Sequence, residues 1–210
     1  MKSFSFCVLI HNEGKQYLEK LFSIIQQFMT NDDELIVMDD YSTDKETIDF
    51  INSLKLNKSI IVFQHALNKD FATHKNCLLQ KATKDYIWMF DADEYIELEN
   101  MKKIKDIVYK NKDIDIFYLT RKNFITELNE EKLKYDNWIF DYEGKHDFPD
   151  YQGRIFKNFV NIRYYGKVHE QPFLINGKTY NIPIECDVPI IHIKTAKRQN
   201  LQHEFYETIK

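Results

Sequence analysis

The most constraining feature of the sequence is the stretch 86–94, which reads YIWMFDADE. Five apolar residues run directly into a segment that contains three carboxylates. An uninterrupted apolar run of this length is typical of a strand buried on both faces of a sheet. The carboxylates would then emerge at the carboxyl end of the strand, where open α/β sheets bind ligands. Burying like charges is costly, and a hard divalent cation that also binds a phosphate would offset that cost.

The chain before this strand alternates between two periodicities. Continuous apolar runs predict strands at 4–10, 34–38 and 60–63. Apolar residues at helical spacing predict helices between them, the second capped by Ser42 or Thr43 and the third opening at Asp70 or Thr73. Strands that alternate with helices predict an α/β fold. We expect a Rossmann-like, mostly parallel central sheet with helices on both faces.

The second half of the chain has a less regular pattern. A helix is predicted at 101–109 and a strand at 114–119, whereas 121–150 is polar, irregular and rich in aromatics. An irregular segment of this length predicts a functional or mobile loop. Short strands are predicted at 154–156, 162–165 and 189–193, and a final helix at 198–210. Because the helical pattern still runs at the last residue, the chain is either a single complete domain or the N-terminal domain of a longer protein.

Composition narrows the possible partners. The formal net charge is −4 and the isoelectric point is near 6.0, so no basic field favours nucleic acid. The chain opens directly on a strand-like run and has no apolar stretch long enough to cross a bilayer. The three cysteines are widely spaced and form no CxxC motif. We therefore expect a cytoplasmic protein with reduced thiols, whose contact with membranes is at most peripheral; one disulfide is the alternative for the cysteines.

Polar and acidic clusters follow three of the predicted strands. They are 11–13 (HNE), 39–40 (DD) and 91–94 (DADE). Because the carboxyl ends of parallel strands meet at one edge of a sheet, we expect these clusters to converge on a single crevice. Helix capping is the alternative role for Asp39 and Asp44. Three clusters at one edge favour a ligand site over a set of unrelated caps.

The order of these motifs resembles the family 2 glycosyltransferases with the GT-A fold. The resemblance is carried by 10–13 (IHNE), 37–44 (VMDDYSTD), 68–71 (NKDF) with Lys75 and Asn76, and 88–94 (WMFDADE). The later segments 151–156 (YQGRIF) and 166–170 (GKVHE) are similar to a subgroup that has a Val-His-Glu segment. The resemblance implies one GT-A domain over 1–210, in which 1–100 binds a nucleotide sugar and a smaller mixed part, 101–210, binds the acceptor.

The resemblance also implies which residues bind the donor, for which a UDP-sugar is favoured. The expected lining residues are Ile10, His11, Asn12, Glu13, Asp40, Lys75, Asp91 and Ala92. Asp40 would bind the N3–H of uracil, and Asp91 would approach the ribose or the sugar. Lys75 stands where the family usually has arginine, and it is expected near the base or the diphosphate. Lysine is a point charge without the arginine fork, so the contact would differ in kind.

A metal site and a general base follow from the same resemblance. Asp93 and His192 would hold Mn²⁺ or Mg²⁺, and the nitrogen ligand suits Mn²⁺ at least as well as Mg²⁺. A buried core histidine is the alternative for His192. The acceptor, a glycan or another molecule with a hydroxyl, needs a base. Glu170 is the first choice and Asp150 the second, and one base with direct displacement would invert the anomeric centre. His169 would be a ligand or a catalytic group, or else would orient Glu170 or pair within its loop.

Four further residues have two possible roles each. Trp138 and Tyr142 would stack on an acceptor sugar or pack within the fold. Arg154 would bind a phosphate or the acceptor, or would pair with Asp150. Glu94 would touch the metal or brace the site from behind.

Two other functions are open on the sequence alone. Haloacid-dehalogenase-type phosphatases also place Asp-x-Asp after a buried strand. In those enzymes the motif usually follows the first strand, and Thr or Val occupies the next-but-one position. Here the motif follows the fourth predicted strand, and Tyr95 occupies that position. A module that binds nucleotide sugars without catalysis would keep the fold and lose the chemistry. Phosphate release without a nucleotide sugar would identify the first, and UDP binding without transfer or donor hydrolysis the second.

Overall fold

A computed structural model of the protein describes residues 2–127 and 145–209. Strands and helices alternate through the first part of the chain, as the periodicities predict. They are β1 Phe4–Ile10, α1 Lys15–Phe28, β2 Glu34–Asp39, α2 Lys45–Lys55, β3 Ile60–Gln64, α3 Phe71–Leu79 and β4 Tyr86–Asp91. The later elements are β5 Glu94–Tyr95, α4 Leu98–Lys110, β6 Ile116–Thr126, β7 Lys145–Lys157, β8 Arg163–Tyr165, β9 Gln171–Phe173, β10 Thr179–Asn181, a 3₁₀ turn Ile184–Cys186, β11 Ile190–Thr195 and α5 Ala196–Glu207.

Nine of the described strands form one mixed sheet. Its order is β3-β2-β1-β4-β7-β6-β11-β5, and β10 also pairs with β6. The strands β1 to β4 are mutually parallel where they pair, whereas β7 runs antiparallel between β4 and β6. The strands β8 and β9 form a separate antiparallel hairpin. The expected fold class is confirmed, with the mixed part in the second half of the chain.

The register of the parallel strands decides which residues share the carboxyl edge. Ile10 of β1 lies opposite Asp39 of β2, and Leu9 lies opposite Asp91 of β4. Asp39 in turn lies opposite Gln64 of β3. The segments that follow these four strands therefore leave the sheet at nearly the same level, as the sequence predicts.

Alternate side chains of the central strands enter two cores, one on each face of the sheet. On one face Phe6 and Trp88 belong to a core shared with α1, α2 and α4. On the other face Cys7 and Met89 belong to a core shared with α3. Trp88 is fully buried, with its ring 5.8 Å from that of Phe6. Helices thus cover both faces, and the apolar run before the carboxylates is a doubly buried strand.

Two local predictions are wrong. The segment 121–150 is not a loop at its described ends, because β6 continues to Thr126 and β7 begins at Lys145. These two strands pair with each other over most of their length, which stabilises polar residues that carry little strand signal of their own. The cap of α2 is Asp44 rather than Ser42 or Thr43, since its carboxylate accepts the N–H of Thr47 at 2.8 Å.

Four other expectations have simple outcomes. Asp70 caps α3 by accepting the N–H of Thr73 at 2.9 Å, one of the two predicted openings. Trp138 and Tyr142 lie outside the described residues. No helix in the described ranges has the length and apolarity to cross a bilayer. The cysteines are free thiols.

Candidate functional site

The loops that follow β1, β2 and β3 are tied to one another at the carboxyl edge. The side-chain oxygen of Asn12 accepts the N–H groups of Thr43 and Asp44 at 2.7 and 2.8 Å. One oxygen of Asp40 accepts the N–H of Leu67 at 2.8 Å, which joins the end of β2 to the loop after β3. Two predicted donor-binding residues, Asn12 and Asp40, are therefore held in the same small region.

Left-handed backbone conformations occur repeatedly around this edge. Residues with positive φ here are Asn12 (55°), Tyr41 (48°), Asn68 (49°), Lys69 (57°) and His169 (56°). Residues other than glycine rarely adopt this conformation, and such strain concentrates at functional sites. The feature supports the edge as the functional part of the molecule.

His11 and Asp40 are predicted donor residues with side chains that a ligand can reach. The Nδ1–H of His11 donates to the backbone oxygen of Asp40 at 2.8 Å, and Nδ1 lies 3.5 Å from Oδ2 of the same residue. The side chain of His11 is 55% exposed and that of Asp40 is 18% exposed. Asp39 is different, because its two oxygens accept from Ser42 N–H and from Gln64 Nε2 at 2.9 and 2.8 Å. Asp39 therefore braces the loop, and Asp40 is the carboxylate available to a ligand.

Asp91 lies between two positively charged side chains. Its Oδ1 is 3.3 Å from Nζ of Lys75, and its Oδ2 is 2.6 Å from Nη2 of Arg154. Burial would raise the pKa of Asp91, but Arg154 and Lys75 together hold it below its ordinary value. Asp91 therefore stays ionised, with its charge already compensated by the protein.

Asp93 lies in a second, separate cluster, formed by an imidazole and two positively charged side chains. Its Oδ2 is 3.4 Å from Nε2 of His192, 3.6 Å from Nη2 of Arg198 and 3.8 Å from Nζ of Lys194. Burial would raise the pKa of Asp93, but these neighbours hold it well below its ordinary value. Arg198 also contacts Oε1 of Glu13 at 3.0 Å. The segments after β1 and β4 thus meet at one guanidinium group.

His192 is oriented by a second buried contact. Its Nδ1–H donates to the side-chain oxygen of Asn123 at 2.6 Å, which leaves the lone pair of Nε2 on the side of Asp93. Burial and the charge of Lys194 lower the pKa of His192, so the ring is neutral at physiological pH. A neutral imidazole beside a carboxylate is a suitable donor pair for a divalent cation.

This pair is not a complete metal site by itself. Within 2–127 and 145–209, no three His, Cys, Asp or Glu side chains are grouped so as to hold an ion. Mg²⁺ is commonly bound by one or two carboxylates, with the other ligands supplied by water and substrate phosphates. Asp93 and His192 fit that kind of site, in which a diphosphate would complete the coordination.

A buried ion-pair network lies behind the edge. Glu94 is 2.7 Å from Nη2 of Arg154 and 2.9 Å from Nη1 of Arg121, and Arg121 holds Asp150 at 2.7 Å. Glu94 therefore braces the site from within the core. The expected pairing of Arg154 with Asp150 is wrong, because Arg154 pairs with Asp91 and Glu94. Its other expected role, binding a phosphate or the acceptor, stays a prediction. The local sequence around Glu94 does not predict its contacts with Arg121 and Arg154, because these arginines lie on two other strands, β6 and β7.

The two candidate bases have different surroundings. Asp150 accepts from Arg121 Nε, Asn123 Nδ2 and Gln152 Nε2 at 2.8, 3.0 and 2.5 Å. Burial would raise the pKa of Asp150, but Arg121 and these hydrogen bonds lower it, which weakens it as a base. Glu170 lies 2.7 Å from Nζ of Lys75. Both candidate bases are thus paired with a cation, but Asp150 accepts from three side chains, whereas the contact of Glu170 is with Lys75.

The final helix extends along the same edge. Near its start, Arg198 contacts Asp93. Near its end, the ring of Tyr206 lies 5.6 Å from the rings of both Phe71 and His169. At 1.5 Å per residue, a helix of this length spans about 18 Å. The periodicity predicts the helix but gives no signal for its position against the sheet. Arg198 on this helix and Lys194 on β11 therefore lie beside Asp93 without any signal in the sequence.

Three predicted donor residues have buried side chains. The side chains of Ile10 and Ala92 are buried in the core, so only their backbone atoms are available to a ligand. Lys75 is also buried, and its ammonium group contacts Asp91 and Glu170.

Comparison with known proteins agrees with this fold. The family model described as "Glycosyl transferase family 2" matches residues 5–168. The SPbeta prophage-derived glycosyltransferase SunS of Bacillus subtilis (strain 168) is 27% identical over 208 residues, which cover 94% of this chain and 43% of SunS. An uncharacterized glycosyltransferase of Haemophilus influenzae is 35% identical over 79 residues, covering 37% of this chain and 31% of that protein. The chain spans less than half the length of these curated relatives.

Solved structures with the same fold include TarS of S. aureus. Residues 1–349 of TarS in complex with UDP-GlcNAc superpose with a TM-score of 0.60 and 15% identity, covering 92% of this chain and 59% of that one. The complex of TarS with UDP gives a TM-score of 0.55 and 16% identity, with coverage of 89% and 62%. At this identity the likeness shows the GT-A fold alone. Because the family model matches most of its residues, the chain belongs to glycosyl transferase family 2.

Proposed function

We propose that the protein transfers a sugar from a UDP-sugar to an acceptor hydroxyl with inversion at the anomeric carbon. The observation that carries the proposal is the convergence of Asn12, Asp40 and Asp93, which follow three different strands, on one edge of the sheet. TarS, which has the same fold, binds UDP and UDP-GlcNAc in its crystal structures. That precedent supports a UDP-sugar as the donor.

Asp40 is the proposed ligand of the uracil base. One of its oxygens is occupied by the N–H of Leu67, and the second is available to accept the N3–H of uracil. The half-exposed ring of His11 lies beside this oxygen and would form one wall of the base pocket. Asp91, which is held between Lys75 and Arg154, would accept a hydrogen bond from a hydroxyl of the ribose or sugar.

Asp93 and His192 are the proposed protein ligands of Mn²⁺ or Mg²⁺. When bound, the ion would supply Lewis-acid stabilisation of the negative charge on the leaving UDP. Arg198 and Lys194 lie within 4 Å of the same carboxylate and would add positive charge at this position. Charge that is already oriented in a buried site needs no reorganisation during the reaction.

Glu170 is the proposed base that takes the proton of the acceptor hydroxyl. Glu170→Gln should leave the UDP dissociation constant unchanged and lower kcat about 10²- to 10⁴-fold, because the acceptor remains a neutral alcohol. Transfer from UDP-sugar is measured with a coupled UDP-release assay, and UDP affinity by calorimetry. If Glu170→Gln transfers sugar at the normal rate, Asp150 becomes the preferred base.

A thermal-shift panel of nucleotide sugars, with and without Mn²⁺, tests the donor and the metal together. We expect UDP-sugars with Mn²⁺ to raise the melting temperature most. In Asp93→Asn the affinity for UDP with Mn²⁺ should fall at least about 10-fold. Asp187→Asn, at an exposed carboxylate on the surface, is the matched control. Unchanged affinity in Asp93→Asn would argue against the metal ligands, and no shift with any nucleotide sugar would argue against the function itself.

The same assays separate the two other functions considered from the sequence. Binding of UDP without transfer or donor hydrolysis would indicate a module that binds nucleotide sugars without catalysis. Phosphate release without a nucleotide sugar would indicate a phosphatase, an activity that the family match does not support.

A further inference from the structure

One side of α3 holds the β8–β9 hairpin, whose turn carries the proposed base. The N–H of Phe71 donates to the backbone oxygen of Lys167 at 3.0 Å. One turn later, the side chain of Asn76 exchanges two hydrogen bonds with the backbone of Tyr164, at 2.9 and 2.8 Å. The hairpin is therefore fastened to α3 at two points, Tyr164 on β8 and Lys167 within the turn.

Lys75 lies between these two attachments and adds a charged contact. Its Nζ is 2.7 Å from Oε1 of Glu170 and 3.3 Å from Oδ1 of Asp91, and 5.4 Å from the ring centre of Tyr164. Burial would lower the pKa of Lys75, but Asp91 and Glu170 raise it, so the ammonium group stays charged. One buried cation thus joins the carboxyl end of β4 to the turn between β8 and β9.

The two carboxylates depend on Lys75 unequally. Asp91 keeps a second cation when Lys75 is removed, because Arg154 contacts it at 2.6 Å. For Glu170, Lys75 is the one cation in salt-bridge contact among the residues that the structure describes. Loss of the ammonium group should therefore act mainly on Glu170. A lysine suits this position because its point charge can serve two carboxylates from different directions.

We propose that Lys75 is a positioning residue for Glu170, and not a ligand of the nucleotide. The proposal rests on the proposed function, in which Glu170 is the base. Lys75 fixes the carboxylate of Glu170 relative to the end of β4, where Asp91 would face the donor sugar. It therefore sets the distance between the acceptor hydroxyl and the bond between the sugar and UDP. The base and the donor are then aligned by a single side chain.

A double-mutant cycle tests this coupling. Lys75→Met, Glu170→Gln and the double variant are compared for kcat at saturating UDP-sugar and for UDP affinity. We expect Lys75→Met to lower kcat at least about 10-fold, with less than about a 3-fold change in UDP affinity. In the Glu170→Gln background, Lys75→Met should have no further effect, because the residue through which it acts is already disabled. Lys157→Met is the matched control, since it breaks the 3.1 Å pair with Asp115 at the opposite end of β4 and should leave kcat unchanged.

A second measurement keeps the proposal independent of activity. Hydrogen exchange of residues 166–173 should become faster in Lys75→Met and stay unchanged in Lys157→Met, because only the first releases the turn. The proposal would be overturned if the double variant lost kcat by the product of the two single losses. It would also be overturned if Lys75→Met lost UDP affinity and kept its kcat. If the natural protein transfers no sugar from any nucleotide sugar, the proposed function fails. If hydrogen exchange of residues 166–173 is unchanged in Lys75→Met, the role proposed for Lys75 fails instead.

Discussion

The loop region after β1, β2 and β3 and the ion-pair network around Asp91 and Glu94 hold their polar groups by different means. In the loop region, backbone N–H groups hold Asn12 and Asp40, and Asp40 keeps an accessible oxygen. In the network, arginine and lysine side chains from distant segments enclose the carboxylates, and Glu94 is almost completely buried. The difference suggests a division of roles. Changes in the loop region should cost ligand affinity, whereas changes in the network should cost stability.

The largest effect is expected in the network, for Arg154→Met. The substitution leaves Asp91 and Glu94 without the guanidinium group that contacts both at 2.6 and 2.7 Å. Asp91 keeps the ammonium group of Lys75 and Glu94 keeps the guanidinium group of Arg121, so each buried carboxylate loses one of two cations. The free energy of unfolding should therefore fall by about 3 kcal/mol, the lower end of the range for a broken buried ion pair. Urea denaturation measures this loss. Lys122→Met, which breaks an exposed pair with Asp187, should cost less than about 1 kcal/mol. Equal losses in the two variants would remove the basis of the comparison.

A smaller effect is expected from pH, through a buried group that borders the loop region. His74 lies 3.0 Å from the ring nitrogen of His65, and burial lowers its pKa to about 4. The folded protein therefore keeps His74 neutral, while the unfolded chain binds a proton as the pH falls below about 6.5. The free energy of unfolding should fall by about 2 kcal/mol between pH 7 and pH 5.

Urea denaturation at the two pH values, in the natural protein and in His74→Gln, checks this expectation. The variant lacks the titrating group, so its stability should depend less on pH over this interval. The same pH dependence in both proteins would show that another group is responsible.

The smallest effect is expected in the loop region, for Asp40→Asn. The amide can still accept the N–H of Leu67, so the free energy of unfolding should change little. The asparagine side chain presents either its N–H₂ group or its amide oxygen, a weaker acceptor than a carboxylate, to the N3–H of uracil. UDP affinity should therefore fall about 10-fold, which corresponds to about 1.4 kcal/mol. Calorimetry with UDP and urea denaturation give the two values. A large loss of stability with unchanged UDP affinity would reverse the roles assigned to the two regions.

The loop region is also the part that the sequence predicts best. The strands β1 to β4 each form a continuous apolar run, and the polar clusters follow directly, so local patterns suffice to place Asp40 and Asp93 at one edge. The network depends on contacts between distant segments. Arg121 and Arg154 lie on β6 and β7, whose pairing brings together polar residues that look like a loop in sequence. Arg198 and Lys194 reach Asp93 from the end of the chain, and no local pattern encodes that contact.

The convergence of Asp40 and Asp93 on one nucleotide site is tested most directly by a crystal structure of the protein with UDP and Mn²⁺. We predict that the uracil N3–H lies within hydrogen-bonding distance of Asp40. The diphosphate should lie beside Asp93 and Arg198, with the ion between Asp93 and His192. UDP bound at another surface, or uracil at this edge with the diphosphate directed away from Asp93, would contradict the assignment.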